Sequence, residues 1–141
     1  MGHWGVKSYE NDAAADAIDG GLERVHGDAY DALMDDRNAM TFDQAQEQLA
    51  NPATLAAAVE ALRETAGADR PIEEWDEVER LGFAGVIVRH AEFGVPVPAE
   101  WLARAADWLE TETIDWDDEA TVRRLRRQKE VAMLRARQAG T

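Results

Sequence analysis

The chain has 141 residues, is 45% apolar and contains no cysteine, which leaves out disulfides, thiolate metal sites and cysteine nucleophiles. A chain of this length buries roughly 70% of the surface it exposes when unfolded, enough for one core without covalent staples. Its net charge of −14 repels phosphate backbones and anionic lipid, which argues against a general nucleic-acid or membrane-surface binder.

Residues 1–10 read as an ordered loop, with glycines on both sides of Trp4 and Tyr9 following. Asn11 is placed to cap a helix, and Asp12 sits in its first turn, where the helix dipole favours negative charge. Ala14, Ile18, Leu22, Val25, Ala29 and Leu33 recur at intervals of three and four, predicting an amphipathic helix over 12–34. Gly20-Gly21 interrupts that pattern at a cost of roughly 2 kcal/mol relative to alanine, so a kink or break is expected there.

Thr41-Phe42-Asp43-Gln44 has the form of a capping box opening a short helix toward Ala50. Asn51-Pro52 supplies a second cap with proline at the first helical position, and Leu55, Val59, Leu62 and Ala66 line one face before Gly67 stops the helix. From Ile72 to Phe93, Ile72, Trp75, Val78 and Gly82 keep helical spacing. The apolar run Leu81–Val88 fits either a buried helix or a buried strand by periodicity alone. A central buried helix is preferred, because the flanks are helical and no second strand candidate exists to pair with it.

Val95-Pro96-Val97-Pro98 is an extended connector with Pro98 at the start of the next helix, whose apolar face is Trp101, Leu102, Ala105, Trp108 and Leu109. Trp75, Trp101 and Trp108 are expected to anchor the core. A loop with Ile114 and Trp116 follows. Asp117 is then expected to cap a last, basic helix over 118–138 with a thin apolar stripe of Val122, Leu125, Ala132, Met133 and Ala136. The fold expected is a single all-α domain over 1–141, a compact orthogonal bundle of about six helices with short loops. No run of about 18 apolar residues and no basic-then-apolar leader occurs, so a cytoplasmic location and no membrane span are expected.

Charge is segregated along the chain. Residues 123–141 hold Arg123, Arg124, Arg126, Arg127, Lys129, Arg135 and Arg137 against Glu130, a balance of +6, which leaves −20 on residues 1–122. The basic tail is expected to pack on its own acidic body; the alternative is that it reaches an acidic neighbour.

The opening Met1-Gly2-His3-Trp4-Gly5, followed by Tyr9-Glu10-Asn11-Asp12-Ala13 and Asp16, resembles the start of a bacterial family, domain of unknown function 4259. The alanine-rich stretch 53–66, the Gly94-x-Pro96-x-Pro98 turn and Trp108-Leu109 also resemble later parts of its pattern, so the likeness covers most of the chain. One departure is the apolar Ala84-Gly85-Val86, where that family carries a glutamate after a small residue. The resemblance implies an all-helical fold and transfers no activity.

The residues of the motif allow three readings. Asp12 and Asp16 share one helix face, continued by Asp19 and Glu23, with His3 and Glu10 on the preceding loop. His3, Glu10, Asp12 and Asp16 could therefore hold Mg²⁺ or Ca²⁺, or act as a general acid/base pair in a small metal-assisted enzyme. Alternatively, Asn11 and Asp12 are caps, Trp4 and Tyr9 cover the helix end, and Asp16 faces water or a tail arginine. On that reading no cofactor is expected and an enzyme is the less favoured option; on a third, His3, Trp4, Glu10, Asn11, Asp12, Asp16 and Trp116 are candidates for a binding surface.

His26 stands alone, and His90 beside the most apolar run reads as a satisfied core residue. Ser8 is the one serine and sits in no nucleophile elbow, so serine hydrolases are disfavoured. No His-Glu-x-x-His zinc motif, phosphate-binding glycine loop or calcium loop occurs. The function favoured is an acidic adaptor or immunity-like module that binds a basic protein; a metal-assisted enzyme and a structural subunit of an assembly are the alternatives. Oligomeric state is not readable from the sequence.

Overall fold

Asn11 opens the first helix: its backbone is extended and its side-chain oxygen accepts the Ala14 N–H at 2.9 Å, satisfying one otherwise unpaired donor of the first turn. The computed structural model describes residues 5, 7–33, 35, 40–114 and 119–140, among which regular structure is helical and no strand forms. The helices are α1 Asp12–His26, α2 Asp28–Leu33, α3 Phe42–Leu49, α4 Pro52–Ala66, α5 Glu77–Glu92, α6 Ala99–Glu110 and α7 Ala120–Ala139, with a 3-10 turn at Ile72–Glu74. That is one helix more than expected, because the predicted helix over 12–34 is two.

The break lies at Gly27 and not at Gly20-Gly21. Gly27 takes a positive φ of 50° and closes α1 by donating its N–H to the Glu23 carbonyl at 2.8 Å. Gly21 serves a different end. A Cβ there would lie 2.7 Å from the Thr54 carbonyl oxygen and 2.9 Å from the Ala58 nitrogen, so the missing side chain lets α1 and α4 pack backbone to backbone. A straight α1 is what that contact requires.

Reciprocal capping boxes start α3 (Thr41 with Gln44), α4 (Asn51 with Thr54) and α5 (Asp76 with Glu79), each fixing two orphan donors. The Asp76 cap divides the predicted 72–93 segment, so that Ile72–Glu74 is a separate turn and Val78 points to solvent, 64% exposed. Leu81–Val88 is helical, and residues 82–91 of α5 are all buried at the centre of the bundle, with α1, α4 and α6 packed around it and α7 on α6. Pro98 stands one residue before α6 as its cap. Trp75 is fully buried, while Trp101 and Trp108 pack partly exposed against the core.

The last helix begins two residues later than predicted, and of its expected apolar stripe only Met133 packs against the core. Val122 and Leu125 are 52% and 62% exposed, and Ala132 and Ala136 face outward. The residues of α7 that are buried are Arg123, Glu130 and Leu134. Glu119 precedes the helix without a side-chain cap bond; Asp117 lies outside the described residues. No helix among the described residues is long and apolar enough to cross a membrane.

Candidate functional site

The segment leading into α1 folds on itself. The Glu10 N–H donates to the Lys7 carbonyl at 2.9 Å, and the Glu10 carboxylate in return accepts the Lys7 N–H at 3.0 Å. Asn11 caps α1 and also donates through Nδ2 to the Ser8 carbonyl at 2.5 Å. Asp12 and Asp16 are exposed on successive turns of α1. Glu10 and Asn11 are thus engaged in local structure, and Asp12 and Asp16 present their carboxylates to solvent. His3, Trp4 and Trp116 lie outside the described residues. Among the described residues no group of three metal-ligating side chains converges.

What the sequence reading missed lies beneath this segment. Arg123, with a side chain 2% exposed, makes a bidentate pair with Glu112, Nη2 to Oε1 at 2.6 Å and Nε to Oε2 at 3.2 Å. Its Nη1 reaches Glu130 at 3.3 Å, and both carboxylates are 1% exposed. Glu130 is filled from further directions: it accepts the Ser8 hydroxyl at 2.5 Å, the Ser8 N–H at 2.9 Å and Arg126 Nε at 3.2 Å. Arg126 also binds Glu92, and Arg127 donates to the Glu112 carbonyl at 2.9 Å.

Burying an ion pair costs several kcal/mol per charge unless nearly every lone pair and proton is matched, and here the match is dense. Burial alone would lower the pKa of Arg126, but Glu92 and Glu130 outweigh it and hold the guanidinium charged. The Ser8 hydroxyl donates to Glu130 and accepts from Arg123 Nη2 at 3.1 Å, 2% exposed, so it serves as a structural bridge. The signal was present in the sequence. Arg123, Arg126 and Glu130 recur at three and four, one helix face, in a helix whose apolar residues are too sparse to form a stripe.

Arg89 ties another corner. Its guanidinium lies 4.4 Å from the ring centroids of both Tyr9 and Phe93, and pairs with Asp43 at 2.6 Å. His90 is buried, with Nδ1 donating to the Val86 carbonyl at 2.9 Å and Nε2 3.1 Å from the Thr54 hydroxyl. Its pKa is lowered by burial first; the Val86 bond opposes this and Arg89 adds to it. His26 Nε2 donates to the Leu49 carbonyl at 2.8 Å.

Seven of the described arginines are spent on carboxylates of α3 to α7 and of the loop before α7. Arg24 pairs with Glu64, Arg70 with Glu79, and Arg135 with Asp107 and Glu110. The acids of α1 and α2 are not neutralised in this way. Asp12, Asp16, Asp19, Glu23, Asp28 and Asp31 are all exposed, and among the described residues none makes an ion pair. Around the Gly27 turn four of them crowd together. The hydrogen bond between Glu23 and Asp31, followed by the charges of Asp31, Asp19 and Asp28, raises the Glu23 pKa above the ordinary carboxylate range. The Tyr30 hydroxyl donates to Asp19, and burial together with that bond pushes the phenol pKa up.

No protein-family model, curated protein or solved structure matches this chain.

Proposed function

We propose that the chain is a protein-interaction module that offers the acidic α1–α2 face to a basic partner, as an adaptor or a toxin-neutralising protein would. The observation that carries this reading is the division of charge. Arg123, Arg126 and Arg135 of the tail are matched inside the fold, whereas among the described residues the carboxylates of Asp19, Glu23, Asp28 and Asp31 stand together without an ion pair and repel one another. A cationic partner would relieve that repulsion, and complementary fields would speed its association in a salt-dependent way. The commitment of Ser8, His26 and His90 to structural hydrogen bonds supports binding over catalysis. Membership of the family that the opening motif resembles, and a cytoplasmic location, belong to the same proposal.

The test is zero-length carbodiimide crosslinking in extracts of the source cell, which joins carboxylates to a partner's lysines, followed by peptide mapping. Crosslinks are expected on α1–α2, to a protein with a basic surface. They should weaken at high salt and disappear in a variant carrying Asp19→Asn, Glu23→Gln, Asp28→Asn and Asp31→Asn. A partner that maps to α7, or that survives the four substitutions, overturns the reading.

A further inference from the structure

Of the described arginines that precede α7, Arg24, Arg63, Arg70 and Arg89 each pair with a carboxylate, and Arg80 and Arg104 do not. In a chain with 29 acidic residues that is unexpected, and the two exceptions are found at one place. Arg80 from α5 and Arg104 from α6 each bring the guanidinium carbon to 5.5 Å from the centroid of the Trp108 ring. Trp108 is itself held by Phe83, edge-on at 5.3 Å, and by Trp75 at 6.2 Å, so the ring that both cations approach is fixed by the core.

A second observation coincides with the first. Among the buried side-chain donors of the described residues, Trp75 Nε1 and Arg80 Nε have no acceptor, and both belong to residues that border Trp108. Arg80 satisfies one nitrogen only, Nη2, with a long 3.3 Å bond to the Glu73 carbonyl. Buried N–H groups without acceptors forgo the hydrogen bonds they make in water and are rare in folded proteins, so two beside one ring call for an explanation. A guanidinium beside an aromatic face can still offer its terminal N–H groups, whose geometry matches the oxygens of a carboxylate or phosphate.

We propose that Arg80 and Arg104, seated on Trp108 between α5 and α6, form a binding site for an oxyanion, a carboxylate or phosphate group carried by a small ligand. The site is independent of the acidic α1–α2 face and of the partner proposed for it. The overall negative field opposes any anion, so recognition depends on short-range hydrogen bonds to these two side chains.

The full chain is titrated with sodium phosphate, sodium succinate and sodium chloride at matched ionic strength, read by tryptophan fluorescence and by thermal melting. At least one of the two oxyanions should give a saturable change that chloride does not give, and which one responds identifies the phosphate or the carboxylate as the group recognised. Arg104→Gln, at a partly exposed position, should keep the helical circular dichroism and weaken binding by about tenfold or more, as loss of a charge-assisted hydrogen bond predicts. Arg80→Gln should do the same, while Arg63→Gln on α4 should bind as the parent does. Responses to phosphate and succinate that match chloride, or equal weakening by Arg63→Gln, overturn the proposal.

Discussion

The hydroxyl of Ser8 donates to the carboxylate of Glu130 at 2.5 Å across 122 positions of sequence, and so fastens the segment before α1 to the last helix. Arg123 bonds both partners and carries the contact on to Glu112 in the loop before α7. Glu130→Ala leaves Arg123 and Arg126 each short of a buried partner and is expected to cost about 3–5 kcal/mol. Ser8→Ala removes a neutral group and is expected to cost about 1–3 kcal/mol. The double variant should lose less than the sum, since either change alone already abolishes the shared bond. Urea denaturation of the four proteins checks this; strict additivity would show that the contact contributes nothing of its own.

The two adjacent glycines of α1 should respond in opposite directions to alanine. At Gly20 an added Cβ meets only the Ala61 methyl at 3.8 Å, so helix propensity dominates and Gly20→Ala should stabilise by up to about 1 kcal/mol. At Gly21 the Cβ would press into the α4 backbone, and Gly21→Ala should destabilise by about 1–3 kcal/mol. Thermal melts that move the same way for both would contradict the close α1–α4 approach.

That pair shows where local sequence is a sufficient guide and where it is not. The caps at Asn11, Thr41 and Asn51 were legible because a cap is decided within four residues, and the bundle followed from the spacing of apolar residues between caps. Gly20-Gly21 was misread because propensity describes an isolated helix, whereas Gly21 is fixed by a neighbour about 35 positions away. The buried face of α7 was misread for a similar reason. Periodicity assigns apolar residues inward, yet Arg123 and Glu130 go inside because Glu112 and Ser8 come from elsewhere to meet them. The opening acids Asp12 and Asp16 were legible as an exposed row, while the cap is Asn11 alone and Asp12 makes no cap bond. The crowding of Asp31 onto Glu23 needs the Gly27 turn, which spacing along one helix does not reveal.

His90 should make stability depend on pH near neutrality. Its folded pKa lies below the ordinary histidine value, so between the two values the unfolded chain binds a proton that the folded protein excludes. The contribution is present above pH of about 6.5 and is lost as pH falls through the folded value. The parent should therefore lose stability on acidification from pH 7 toward 5, and His90→Asn, which cannot titrate, should have a flatter profile in that window whatever its absolute stability. Parallel profiles would mean that His90 takes up its proton as readily in the fold as in the unfolded chain, against its burial.

Glu23 carries the opposite sign. Its folded pKa is raised by Asp31, Asp19 and Asp28, so its contribution is full below the unfolded carboxylate value and is lost as pH rises through the folded value. Above its folded pKa the charged Glu23 works against the fold. Glu23→Gln keeps a donor for Asp31 and removes one charge, so its melting temperature should exceed the parent's at neutral pH and converge on it toward pH of about 4. Salt should shrink the difference, since every group involved is exposed. The same repulsion links stability to recognition: a basic partner that relieves it should raise the melting temperature of the parent more than that of Glu23→Gln, because bound cations stabilise whichever state they prefer. Equal shifts in the two proteins would place the partner away from the α1–α2 turn, even if it binds tightly.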